Sequence, residues 1–167
     1  MKKLVLNSVL ISLAMILSYV ERLFPVTLII PLPGVKIGLA NIVTVFALFY
    51  LDAKSAIIIN IIRCMLVSIL FGSVSSFLFS IFGTAASLLV MIALMPGCGK
   101  YFSMSGISIA GAAAHNIGQI VAAFILIRST GIFSYLTILL ISSIFTGFLT
   151  SVVSSSLLTH INKIKVF

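Results

Sequence analysis

Negative charge is what this sequence has least of. Glu21 and Asp52 are its only two acids in 167 residues, and they stand far apart in the chain. Holding Mg²⁺ on a diphosphate takes clustered carboxylates, so metal-assisted diphosphate chemistry is excluded for this chain alone. A nucleophile, a base and an orienting acid cannot be assembled either. No GxxxxGK[ST] phosphate loop occurs, so the chain does not hydrolyse ATP itself. His115 and His160 lie too far apart in sequence to suggest a metal site. Cys64 sits in an apolar run and Cys98 in a Pro-Gly-Cys-Gly turn. Without CxxC spacing, the pair indicates neither a disulfide framework nor a metal site. Charge of either sign is scarce, at 7% of residues against about 25% in soluble domains. A soluble globular enzyme, a nucleic-acid-binding domain and a disordered tail are all excluded.

What is present is apolar. Hydrophobic residues make up 62% of the chain and the mean hydropathy is +1.39; the solvent for such a chain is lipid. One helical crossing takes about 20 residues, so residues 1–167 form a single transmembrane domain with little outside the bilayer. The expected fold is an all-α integral membrane bundle of six transmembrane helices, at about 4–22, 37–51, 54–71, 74–95, 105–128 and 133–158. Pro25, Pro31, Pro33 and Gly34 break the chain after the first segment. Asp52 and Lys54, Gly72-Ser73, Met95 to Lys100, and Arg128 to Gly131 mark the later turns. The second segment is short for a crossing, which implies tilt or continuation from a re-entrant loop. Met1-Lys2-Lys3 and the apolar run after it resemble a signal peptide. The run ends at Tyr19-Val20-Glu21-Arg22 with no small-residue cleavage site, so an uncleaved first helix is expected.

The ten Lys/Arg give a net charge of +8. They are scattered singly, as loop anchors at a membrane surface are, and no nucleic-acid partner is implied. With six crossings, Lys2, Lys3, Lys54, Lys100, Lys163 and Lys165 share one side, and Arg22, Lys36 and Arg128 the other. The positive-inside rule then predicts a multi-pass cell-membrane protein with both termini cytoplasmic. Small residues recur every four positions at Gly106, Ala110, Ala114, Gly118 and Ala122. Ser143, Gly147, Ser151 and Ser155 repeat the pattern, as does the shorter Ala14-xxx-Ser18. Such stripes let helix backbones approach closely in lipid, either inside the bundle or against another membrane protein.

Polar groups inside a bilayer are expensive and point to function. Arg63 falls near the middle of the third segment, with Asn60 one turn earlier. His115, Asn116 and Gln119 fall at similar depth on the fifth, and His115 and Gln119 are four apart on one face. Asn41 and Lys36 are candidates to complete a pocket. Cations and amides with almost no acid suit an anionic or hydrogen-bond-rich ligand. The competing reading is structural: the His-Asn pair bonds neighbouring helices, and Arg63 pairs with Glu21 or with helix carbonyls. Proton coupling through the membrane has only His115 suitably placed.

Four blocks are more specific. They are Pro31-Leu32-Pro33-Gly34-Val35-Lys36-Ile37-Gly38-Leu39-Ala40-Asn41-Ile42-Val43; Arg63 with Phe71-Gly72-Ser73; Phe79-Ser80-Ile81-Phe82-Gly83; and Gly106-Ile107-Ser108-Ile109-Ala110-Gly111-Ala112 leading to His115-Asn116-Ile117-Gly118-Gln119. Together they resemble the Gx transporter family, commonly labelled heptaprenyl diphosphate synthase component I, over about residues 5–158. That family is similar in turn to the substrate-binding S components of energy-coupling-factor (ECF) transporters. The resemblance implies a six-helix protein that binds a small molecule under the loop joining helices 1 and 2, among the outer halves of helices 4–6. It implies docking on a transmembrane coupling subunit driven by two cytoplasmic ATPases, with Ala14 and Ser18 as the docking pair and Pro33, Gly34 and Val35 in a gating loop. Lys36, Asn41, Arg63, His115, Asn116 and Gln119 are the expected substrate-binding residues. No catalytic residue, metal or cofactor is expected. The label names an enzyme component, whereas the acid count argues against catalysis by this chain. The alternative is therefore a non-catalytic membrane accessory subunit in isoprenoid or quinone synthesis.

Overall fold

A computed structural model describes residues 2–23, 38–71 and 73–164. Six α-helices run through them: α1 Lys2–Leu23, α2 Leu39–Tyr50, α3 Ala53–Phe71, α4 Val74–Leu94, α5 Met104–Ile127 and α6 Leu136–Ile164. No strand occurs among the described residues. Short 3₁₀ turns at Met95–Gly97 and Thr130–Tyr135 lead out of α4 and into α6. Helix starts are set by side chains that accept otherwise orphaned backbone N–H groups. Asp52 Oδ1 takes the Ser55 N–H at 2.6 Å, Ser73 Oγ that of Ser76 at 3.2 Å, and Ser103 Oγ that of Gly106 at 3.0 Å. Gly38 enters α2 at φ 79°, in the left-handed region that glycine adopts without strain.

Five helices are long and apolar enough to cross a membrane. The exception is α2, whose 12 residues reach only about 18 Å, so six full crossings are not all present among the described residues. The reason is packing. Every residue from Ile42 to Leu48 is buried, as in a helix enclosed on all sides. Its neighbours are α1, α3 and α6, and α3, α4, α5 and α6 continue in sequence around a ring that closes back on α2. Outside this ring, α1 lies against α2 and α3, turning Val5, Val9, Leu13, Ile16 and Tyr19 outward.

Two kinds of contact join the helices. Between α4, α5 and α6, glycines bring backbones together. A Cβ on Gly118 would stand 2.5 Å from the Phe82 carbonyl oxygen, and one on Gly147 2.5 Å from Ile109 Cα. Both stripes therefore serve internal packing over these turns. Hydroxyls bridge the same helices, with Ser108 Oγ and Thr150 Oγ1 2.8 Å apart and Ser151 donating to Ser105 at 2.9 Å. On the other side, polar fasteners dominate. Thr44 Oγ1 donates to Asn60 Oδ1 at 2.9 Å, joining α2 to α3, and Ser154 Oγ donates to the Ile42 carbonyl at 3.1 Å. The two acids act at opposite ends of α1. Glu21 Oε1 accepts the Gly38 N–H at 2.6 Å, and Asp52 pairs with Lys3. The Lys3 hydrogen bond and the Ser55 amide hold the Asp52 carboxyl down at about 2.

Candidate functional site

The polar residues in the helix interiors collect at one level of α4, where Gly83 and Thr84 are consecutive and buried. Thr84 meets α3. Arg63, 9% exposed, donates from Nη2 to Thr84 Oγ1 at 3.1 Å and contacts Cys64 Sγ at 3.7 Å. From Nη1 it reaches Ser18 Oγ on α1 at 3.4 Å. Its Nε is buried with no hydrogen-bond partner among the described residues. None of these bonds goes to a carboxylate. Glu21, which the competing structural reading offered to Arg63, accepts the Gly38 N–H at the start of α2. Asn60, expected to accompany Arg63, is occupied by Thr44 and by the Ala56 carbonyl at 2.8 Å.

Gly83, about 100° around α4 from Thr84, meets α5. A Cβ there would lie 2.9 Å from two ring atoms of His115 and 3.0 Å from Gln119 Cγ. The missing side chain is what lets both residues fold against α4. His115 and Gln119 do share a face, as their spacing requires. Asn116 turns away, and its Nδ2 donates to the Leu139 carbonyl of α6 at 2.7 Å; this is a helix-to-helix bond. Gln119 is only 5% exposed, with Oε1 buried and unpartnered among the described residues. It lines a cavity of about 300 Å³ between α4, α5 and the start of α6, with Phe79, Ile120, Tyr135 and Leu139 among its walls.

The expected residues therefore fall into three groups. Arg63 joins α1, α3 and α4; His115 and Gln119 join α5 to α4 at the same level; Asn116 is given to α6. Asn41 stands half-buried in the first turn of α2, near Gly38. Lys36, Pro33, Gly34 and Val35 lie outside the described residues. Ala14 is 1% exposed within the apolar core, and Ser18 is half-buried beneath Arg63.

Sequence reasoning passed over Thr84, Ser18 and Cys64 as the partners of Arg63. The available signal was Thr84 beside Gly83, a hydroxyl and a gap together in an otherwise apolar helix. Among the described residues, no three of His, Cys, Asp and Glu gather where a metal ion would need them.

No curated protein and no solved structure matches this chain. The profile described as heptaprenyl diphosphate synthase component I matches residues 10–157, which takes in α2 to α5 whole and most of α1 and α6. The chain belongs to the heptaprenyl diphosphate synthase component I family and, as a component, is not an enzyme by itself.

Proposed function

We propose that the chain is the substrate-binding membrane subunit of an energy-coupling-factor-type importer. It captures a small anionic or polar nutrient or cofactor precursor, and ATP hydrolysis on partner subunits drives uptake. The observation that carries this reading is Arg63. A guanidinium sits in the middle of a membrane-length helix with, among the described residues, only hydroxyls and a thiol as partners. A buried cation without a counter-charge is costly, and a bound anion removes that cost. Ten basic residues and two acids, both engaged at the ends of α1, leave few other sources of compensation. Lys3, Lys54, Lys100 and Lys163 follow the helix ends opposite the Gly38 end of α2, and this supports cytoplasmic termini.

Native mass spectrometry of the purified full chain tests the reading by looking for a co-purified small molecule. Arg63→Met should weaken its retention about 10- to 100-fold, the value of a hydrogen bond to a charged group, with the protein still monodisperse. Affinity purification from native membranes should bring down a coupling subunit and two ATPases. The family name favours a second reading, a membrane accessory subunit of a heptaprenyl diphosphate synthase. Recovery of an aspartate-rich soluble synthase in place of ATPases would select it.

A further inference from the structure

Helices α1 and α6 each pack on α2, and between them a slot of about 280 Å³ runs along its face. Leu10, Val43 and Phe46, all buried, form the floor; Leu13 and Leu157, both exposed, form the rims. From Ile42 to Tyr50 the slot is about 12 Å long. Every lining side chain except Tyr50 is pure hydrocarbon, so the slot recognises no polar solute. A hydrocarbon chain laid in it recovers, along both rims and the floor, the dispersion contacts that a gap forfeits. A 150 Å³ apolar cavity holds benzene, so about 280 Å³ takes roughly a dozen carbon atoms, one chain rather than a helix.

Charge at one end says which chain. Tyr50 closes the slot two residues before Asp52, and Lys3 stands one turn before Leu6. Lys3 pairs with Asp52, yet its side chain is 61% exposed, and an ammonium has three donors. Among the described side chains, Lys54, Lys100 and Lys163 stand at the same end of the bundle, where Asp52 is the one carboxylate. The mouth of the slot is therefore net positive, and a basic surface beside a bilayer attracts anionic headgroups. We propose that the slot holds one acyl chain of an anionic phospholipid, with its phosphate at Lys3. Seated there, the lipid adds a bridge from α1 to α6 alongside α2. The proposal goes beyond the importer reading and is independent of it.

Native mass spectrometry of the full chain in detergent tests it, with phosphatidylglycerol and phosphatidylethanolamine of identical acyl chains as probes. Phosphatidylglycerol should form a one-to-one adduct about 5-fold tighter than phosphatidylethanolamine, the attraction of one lysine for an anionic headgroup. Lys3→Gln should remove that preference. Leu13→Trp and Leu157→Trp, at exposed rims that tolerate bulk, should each weaken both adducts about 10-fold, as a dozen lost carbon contacts would. Val9→Trp, on the outward face of α1, should change neither. Equal binding of the two lipids, a preference surviving Lys3→Gln, or adducts unchanged in both rim variants would overturn the proposal. So would a photo-crosslink, from benzoylphenylalanine in place of Leu157, that captures a partner's helix or a second copy in native membranes and not a lipid.

Discussion

Helix α1 and helix α5 are both long, apolar and small-residue-bearing, yet they are held in different ways. Around α5, packing is backbone against backbone, at Gly118 on Phe82 and at Gly147 on Ile109. Around α1, Leu10 and Ala14 enter the apolar core with Leu6, Ile11 and Leu17 packed beside them, and polar fasteners are added along its length. Lys3–Asp52 fastens one end, Glu21 to the Gly38 amide the other, and Ser18 to Arg63 lies between them. Lipid explains why both solutions exist. With no hydrophobic drive between helices in a bilayer, association comes from close van der Waals fit or from interhelical hydrogen bonds. Close fit tolerates little displacement. A few fasteners tolerate more, so α1 is the helix whose attachment adds charge to apolar packing.

The contrast can be broken first on the α5 side, where the largest effect is expected. Gly118→Leu places side-chain atoms where the Phe82 carbonyl and Ala86 Cβ now stand, and backbone cannot yield as a side chain does. A loss of about 1–3 kcal/mol or more is expected, read as aggregation in size-exclusion chromatography or a lowered melting temperature. Next comes the seam between α2 and α3. Asn60→Ala leaves the buried Thr44 hydroxyl without its acceptor and should cost about 1–3 kcal/mol, whereas the double change Thr44→Val with Asn60→Leu should recover much of it. Arg63→Met should be close to neutral for folding, because it removes a buried charge that has no carboxylate partner among the described residues, together with its bonds. Binding of the native ligand should nevertheless fall; thermal melting with and without the co-purified molecule separates the two effects.

The smallest effect lies at the end of α1. Asp52 has its pKa lowered from 3.8 to about 2 by Lys3 and the Ser55 amide. A lowered carboxylate stabilises the fold fully above its ordinary value, and that contribution disappears as the pH falls from about 3.8 to about 2. Exposure and salt weaken the pair. Asp52→Asn should flatten that acid limb of the stability profile slightly and leave α4, α5 and α6 unaffected, as amide hydrogen exchange resolved by helix would register.

Much of the architecture was legible in the residues. The breaks at Asp52, Gly72-Ser73 and Met95-Pro96-Gly97 place helix ends within a few residues of those observed. The end of α6 is later than expected, at Ile164 rather than 158. Ser155, Thr159 and Lys163 lower the hydropathy there while the helix continues. The enclosure of α2 was not legible, because burial in protein and exposure to lipid call for the same side chains. Within the site, the shared face of His115 and Gln119 follows from their spacing, and Asn116 falls off it for the same reason. The choice of Ser18 and Thr84 as partners of Arg63 needs the third dimension. A lone hydroxyl in an apolar helix does not indicate which neighbour it faces.

The close fit at Gly118 and Gly147 bears on how freely such a sequence can drift. A lipid-facing position such as Val9, Ile125 or Phe145 accepts any large aliphatic or aromatic side chain. A position whose Cβ would meet backbone accepts one residue type. Most of the information that specifies this bundle therefore resides in a small set of glycines, hydroxyls and amides, against a hydrocarbon background that is nearly interchangeable. A saturation-mutagenesis map of the chain should show sharp intolerance at those few positions and broad permissiveness between them.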